Sequence, residues 1–221
     1  MCGRFARATE LEAVLRLLRF YTSELTDLHP RYNVAQSQAV AAVRVEDGQR
    51  ALVNLRWGLI RSWAKDVKIG FSLINARAET VAEKPALQPS FKSRRCLIPA
   101  TSFSEWRATG GKHKQPTSLG MRDGALFAFA GLWETSHGGD GEPIPNCTIL
   151  ATEANAVVRP VHDRMPVLIA SADFAAWLDP RTPAEDLPPL LRLYAAEERK
   201  AVPVGTDVNT PRNEGAQCLP S

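Results

Sequence analysis

What most constrains this chain is a series of strand-length apolar segments set apart by turn residues, with no helix-length sequence alternating between them. Residues 39–45 and 50–56 flank Glu46-Asp47-Gly48-Gln49, and an Asp-Gly pair between two apolar runs is a hairpin signal. Further strand-like runs fall at 95–98, 102–106, 116–121, 125–133, 147–152 and 166–170. Their separators are Thr109-Gly110-Gly111, Asp123-Gly124 and the loop Ser136-His137-Gly138-Gly139-Asp140-Gly141, all rich in residues that tolerate turn geometry. Parallel strands need long crossover connections, commonly helical, and this pattern lacks them. Gly-rich phosphate loops are absent too, which excludes dinucleotide-binding and P-loop architectures.

Helices are expected at the periphery. Thr9 followed by Glu12 reads as a capping box, and Leu11, Val14, Leu15 and Leu18 form one apolar stripe. Ser171 is placed to cap a helix over 172–178, and a second late helix is expected over 183–194. The reading is an α+β fold, a single domain over residues 1–221 with a mainly antiparallel, barrel-like sheet and peripheral helices. No internal repeat, low-complexity tract or linker divides the chain.

Composition removes several classes. Apolar residues make up 44% and charged residues 23%, too apolar for a disordered chain. No apolar stretch is long enough to span a membrane. Arg4, Arg7, Glu10, Glu12, Arg16 and Arg19 break any signal-peptide core at the N-terminus. The cysteines (Cys2, Cys96, Cys147, Cys218) are widely spaced and lack metal-ligand spacing, so free thiols in a reducing, cytoplasmic setting are expected, with no metal and no cofactor. Charge is uneven: residues 1–110 carry 17 Lys and Arg against 10 Asp and Glu, and residues 111–221 carry 10 against 14. A basic first half suits a polyanionic partner, although it also fits an ordinary solvated surface.

Cys2 is the most informative position. Loss of Met1 is expected because the second residue is small, and it would leave a cysteine with a free α-amine. The unperturbed amine titrates near 7.7–8.0 and the thiol near about 8.5, so both have nucleophilic fractions around neutrality. Together they form a 1,2-aminothiol, whose amine condenses with an aldehyde to an imine and whose thiol then closes a thiazolidine. Otherwise Cys2 is an arbitrary residue of a frayed terminus. Asn75 and Arg77, if extended, point to one face and suit a sugar-phosphate, with Arg on phosphate; a solvent-facing loop is the other option. Glu105 would share a face with Phe103, where desolvation raises a carboxyl toward the range useful for proton transfer, or it reaches solvent at an edge. His162 stands before the apolar run Val167-Leu168-Ile169, as a general acid or base or as a structural histidine. Trp57, Trp63 and Trp106 stand among Arg56, Arg61, Lys65, Lys68 and Arg77, a mixture that suits single-stranded nucleic acid. Of these, Trp57 reads as core and Trp63 as exposed.

Several blocks stand in a fixed order along nearly the whole chain: Met1-Cys2-Gly3-Arg4-Phe5-Ala6, Arg31-Tyr32-Asn33-Val34-Ala35, Trp57-Gly58-Leu59-Ile60 and Asn75-Ala76-Arg77-Ala78-Glu79-Thr80. Arg95-Cys96-Leu97-Ile98-Pro99-Ala100, Phe103-Ser104-Glu105-Trp106 and His162-Asp163-Arg164-Met165-Pro166 continue them. In this order they resemble the SOS response-associated peptidase (SRAP) family, the abasic-site processing proteins. The resemblance implies a distorted barrel-like α+β domain that detects abasic sites in single-stranded DNA and links to them covalently through Cys2. It implies Cys2 as nucleophile, Asn75 as positioning group, Glu105 as acid and base, and His162 as proton donor for sugar ring opening. Arg4 and Arg77 match the family's phosphate contacts; Trp63 and Trp106 are expected against DNA bases. The expected partner is single-stranded DNA carrying an abasic site, bound by a monomer away from any membrane. Ser104 replaces a common Tyr, Thr101-Ser102 a common Asp-Gly, and Gln36 and Arg61 stand where Pro is usual. None of these falls on the four catalytic positions. Two other functions compete. One is a peptidase with Cys2 as N-terminal nucleophile, ranked second because only Met1 precedes Cys2. The other is a non-covalent single-strand binding module, which salt would release.

Overall fold

The computed structural model describes residues 2–61, 63–64, 66–111, 113–139 and 141–220. In chain order its strands are β1 (Arg4–Arg7), β2 (Thr22–Ser23), β3 (Arg31–Ala35), β4 (Ala39–Glu46), β5 (Gln49–Trp57), β6 (Asn75–Arg77) and β7 (Arg95–Ala100). They continue with β8 (Ser102–Ala108), β9 (Lys114–Met121), β10 (Phe127–His137), β11 (Pro143–Glu153), β12 (Arg164–Pro166), β13 (Leu168–Ile169) and β14 (Arg199–Pro203). Helices α1 (Leu11–Leu18), α2 (Gln88–Ser93) and α3 (Phe174–Leu178) lie between them.

The expected hairpin forms where Asp47 and Gly48 take φ of 49° and 78°, both positive, as a tight two-residue turn requires. It joins β4 to β5 within a sheet ordered β12-β11-β10-β7-β4-β5-β2. A short parallel pairing of β5 with β11, Arg56 opposite Asn146 and Trp57 opposite Cys147, closes β5, β4, β7, β10 and β11 into a five-stranded barrel. β6 adds to β11 in parallel, with Asn75 opposite Ile149. A second, antiparallel sheet runs β14-β9-β8-β1-β3. The α+β, barrel-like reading is borne out.

Side chains that alternate along the barrel strands feed two separate cores. Val40, Ala42, Cys96, Ile98, Phe127 and Phe129 pack with Phe5, Phe103 and Leu119 of the second sheet. Their neighbours Ala41, Val43, Leu97, Ala128 and Ala130 pack with Val14 and Leu18 of α1, Phe91 of α2 and Trp177 of α3. Each fully buried Leu or Phe contributes about 1.5–3 kcal/mol of transfer free energy, so both faces of the wall hold the fold. Cys2 belongs to the first core, between the sheets.

Several local expectations are corrected. The Thr9–Glu12 capping box does not form: Glu10 is the cap residue of α1 and has no side-chain bond to the helix, while the Thr9 carbonyl accepts from Arg7. Ser171 does not cap α3; it opens a 3-10 turn, Ser171–Asp173, that runs into the helix without a side-chain cap. The helix over 183–194 is absent. Two 3-10 turns, Ala184–Asp186 and Pro188–Leu191, stand there, because Pro188 and Pro189 remove amide donors and disfavour helical geometry before them. Beyond them Arg199–Pro203 forms β14, a strand that the sequence reading did not include. Segment 166–170 is split, with β12 on β11 and β13 on β10. β10 runs through Ser136 and His137, so the turn after it starts only at Gly138. Among the described residues no helix is long and apolar enough to cross a membrane.

Candidate active site

From Cys2 onward the chain is held inside the molecule. β1 lies between β3 and β8, with Phe5 opposite both Val34 and Phe103, and this pairing draws Cys2 between the sheets. Cys2 is 1% exposed, and its thiol donates to the Arg4 carbonyl at 3.4 Å. The Asn75 side-chain amide donates to the Cys2 carbonyl at 2.7 Å. Asn75 reaches it because β6 lies on β11, and the preceding Ile74 carbonyl accepts from the Trp57 indole at 2.9 Å. The second polar atom of Asn75, Oδ1, is buried without a hydrogen-bond partner among the described residues. Trp57 is core, as expected.

Glu105 projects from β8 on the same face as Phe103 and is 3% exposed. Burial pushes its carboxyl above the ordinary value, and His162 is among the groups that oppose this. The Cys2 thiol is raised as well, first by burial and then by the charge of Glu105. Those mutual influences bring together three residues more than fifty positions apart from one another in sequence: Glu105 acts on Cys2, and His162 acts on Glu105. His162 is half-buried. Its Nδ1 lies 3.0 Å from the Arg164 amide and 2.7 Å from Asp163 Oδ1. One nitrogen cannot accept from the first and donate to the second at once, so Nδ1 accepts from the amide when it carries no hydrogen and donates to the carboxylate when it carries one. Neither contact uses Nε2.

A cleft of about 510 Å³ opens beside His162, lined by Arg77, Glu153, Arg159, Asp163 and Arg164. Arg164 is committed to Glu79 through two nitrogens, at 3.0 and 2.7 Å. Arg77 is exposed at the edge of the cleft, with Asn75 two residues before it on the same strand face. Arg4 donates to Asn33 Oδ1 at 3.4 Å, and its guanidinium carbon lies 6.0 Å from the centre of the Trp106 ring. Trp106 is only partly open: its indole donates to Asn209 at 2.7 Å and its ring packs on Val204, Val208 and Cys218.

Trp63 is 67% exposed, with Arg61 5.1 Å from its ring centre. Its segment is pinned at the base. Gly58, at φ 132°, passes so close to Gly70 that a Cβ would sit 2.6 Å from the Gly70 oxygen, and Asn146 accepts the Ile60 amide at 2.8 Å. Met1, Lys65 and Asp140 of the expectations above lie outside the described residues. Sequence reasoning missed Arg159, a single arginine with no pattern to mark it, and Phe71. Phe71 is exposed with Arg56 5.9 Å from its ring, and only the fold reveals that an apolar residue there faces outward.

Comparison with known proteins settles the kinship. The profile of the SOS response associated peptidase (SRAP) family matches residues 1–211. This chain belongs to the SRAP family. It is 42% identical to the abasic site processing protein YoaM of Bacillus subtilis, over 99% of this chain and 97% of that protein. It is 40% identical to the abasic site processing protein YoqW of the same organism over the full length of both. A crystal structure from Bacteroides thetaiotaomicron superposes with a TM-score of 0.87 over the whole of both chains at 22% identity, which speaks for the fold of this SRAP-family member alone.

Proposed function

We propose that this protein captures abasic sites in single-stranded DNA, in the response to DNA damage, by forming a thiazolidine between the lesion's aldehyde and the amine and thiol of Cys2. The observation that carries the reading is the placement of Cys2, buried between two sheets with its carbonyl clamped by Asn75 and Glu105 acting on its thiol. A frayed terminus has none of this, and a core cysteine needs none of it. The names of the relatives point to the same substrate.

An abasic sugar is mostly a closed hemiacetal. In the proposed reaction His162 gives a proton to the ring oxygen as the C1′ hydroxyl passes its own to water, and the open aldehyde results. The Cys2 amine adds to C1′, and loss of water leaves an imine. The thiol sulfur then bonds to C1′ while its proton passes to the nitrogen, closing the five-membered ring; the net products are the thiazolidine and one water. Glu105 serves as base for the attacking amine and as acid for departing water, a pairing suited to a carboxyl raised by burial. Asn75 positions Cys2, and its Oδ1 is available to a sugar hydroxyl. Arg4 and Arg77 contact phosphates, while Trp63 and the open face of Trp106 take bases.

A peptidase would use Cys2 as a thiolate, and burial that holds the thiol protonated weighs against it. The deciding experiment is incubation with abasic single-stranded DNA, a salt and denaturant challenge, and a gel. The native chain should leave a stable adduct and Cys2→Ala none. An adduct of equal stability from Cys2→Ala, or complexes that salt removes entirely, would sink the proposal.

A further inference from the structure

We infer that the gap behind β1, between the two sheets, is a binding site for a small carboxylic acid with an apolar body, taken up as its anion. The cavity measures about 230 Å³, and none of Cys2, Asn75, Glu105 or His162 lines it, so the inference stands apart from the abasic-site reading. It lies beside the register shift between Phe5 and Arg7, where β1 departs from regular pairing with β3. Phe5, Leu28, Val34 and Pro99 give it apolar walls, and Arg7 and Arg31 bring two guanidinium groups.

The two cations differ in what already answers their charge. Arg31 is paired with Glu214 at 2.6 Å. Arg7 is 5% exposed, and among the described residues no carboxylate pairs with it. Its bonds go to the backbone carbonyls of Thr9 and His29, which orient the guanidinium without neutralising it. Asp27, the acid on the cavity rim, is engaged 2.7 Å from His29 Nε2. Burial lowers the Arg7 value to about 10, and Arg31 pushes the same way. A buried cation without a counter-charge is costly, and an anion brought into the cavity would relieve that cost.

The chemistry of the occupant follows. Arg presents a planar fork that matches a carboxylate, and one unanswered charge suits a monoanion over a doubly charged phosphate. The apolar walls call for a hydrocarbon or aromatic body. The volume falls below the roughly 300–1,000 Å³ of sites for drug-sized ligands, which excludes nucleotides and long acyl chains.

The test is NMR titration of the isotope-labelled full chain with benzoate and butyrate, and with benzamide and butyramide as neutral twins of the same shape. The acids should give saturable shifts at the amides of Phe5, Arg7 and Val34, with affinity at least about tenfold above the amides, a difference of roughly 1.4 kcal/mol. Arg7→Met removes the cation but risks the fold, so the companion variants are Ala39→Glu and Ala39→Gln at the exposed rim. The tethered carboxylate of Ala39→Glu should compete and weaken benzoate by about tenfold, while Ala39→Gln keeps the native value. Equal binding of acid and amide, no saturable shift with either acid, or equal effects of the two Ala39 variants would overturn the inference.

Discussion

The clamp from Asn75 to Cys2 offers the sharpest test of the proposed reaction. Its hydrogen bond is 2.7 Å long and lies between two buried groups, so Asn75→Ala leaves the Cys2 carbonyl unpaired away from water. An unmade hydrogen bond of this kind costs about 1–3 kcal/mol, which is the stability loss expected in urea unfolding. The effect on rate has a different origin. Cys2 precedes β1, and the bond from Asn75 fixes the residue that carries both amine and thiol. A misplacement of about 1 Å at a reacting group can cost on the order of 100-fold, so crosslinking at saturating abasic DNA should slow by about 10- to 100-fold. Affinity for intact single strands should hold, because the amide of Asn75 faces the protein's own backbone. Asn75→Asp should be slower still, since it sets a carboxylate oxygen against a carbonyl oxygen. The assay is single-turnover crosslinking on denaturing gels, with unfolding run in parallel. If Asn75→Ala unfolds earlier yet crosslinks at the native rate, the clamp is structural and the positioning argument fails.

Glu105→Gln should slow both formation and reversal of the adduct, because a group that lowers a barrier acts in both directions. It should also change stability with pH. The folded carboxyl titrates above the ordinary value of 4.5, so above that value the unfolded chain loses its proton first and the native protein is progressively destabilised. The stability gap in favour of Glu105→Gln should therefore widen as pH rises from 4.5 toward neutrality, and a constant gap in urea melts would contradict the assignment. His162→Ala should slow crosslinking to a natural abasic site by about 10²–10⁴-fold, and far less to a strand already presenting an open aldehyde. Equal slowing of both would remove the ring-opening role. Arg77→Ala should reduce the slope of log affinity against log salt by about 0.7, and Trp63→Ala should cost about 1–3 kcal/mol of binding without changing the unfolding curve. Unchanged binding in both variants would move the DNA path elsewhere.

Features set by neighbouring residues were legible before the fold was known, and features set by distant pairing were not. Asp47-Gly48 specified a hairpin because two adjacent residues with positive φ suffice to make one. The apolar stripe of α1 was readable for the same reason, although its cap was not: whether Thr9 or Glu10 begins the helix depends on where Arg7 takes the Thr9 carbonyl. β1 is four residues long with two arginines, and nothing local marks it as the strand that joins β3 to β8. The barrel closes through one short parallel pairing of β5 and β11, which no period in the sequence announces. At the site, Cys2 and Glu105 could be nominated from their chemistry; burial of Glu105 was one of two readings its alternation with Phe103 allowed, and burial of Cys2 had no local signal. The side of β8 on which Glu105 lies follows from its register with β9, Glu105 opposite Thr117.

Burial of Cys2 looks at first like a poor choice for a nucleophile, since it raises the thiol and shields it. Under the proposed mechanism the same burial orders the steps. A free thiolate would add to the aldehyde directly and give a hemithioacetal that falls apart. A thiol kept protonated leaves the first attack to the amine, and only the imine that follows is electrophilic enough to take sulfur. Glu105 enforces the sequence, because its negative charge opposes a second negative charge on Cys2. Once Glu105 has given its proton to departing water it is the nearby base, and it can relay the thiol proton to the ring nitrogen, exchanging one buried charge for another on the way. Such an exchange avoids the cost of ionising the thiol alone in a low-dielectric setting. Burial raises both groups, the charge of Glu105 raises the thiol further, and the proposed chemistry uses both in the same core.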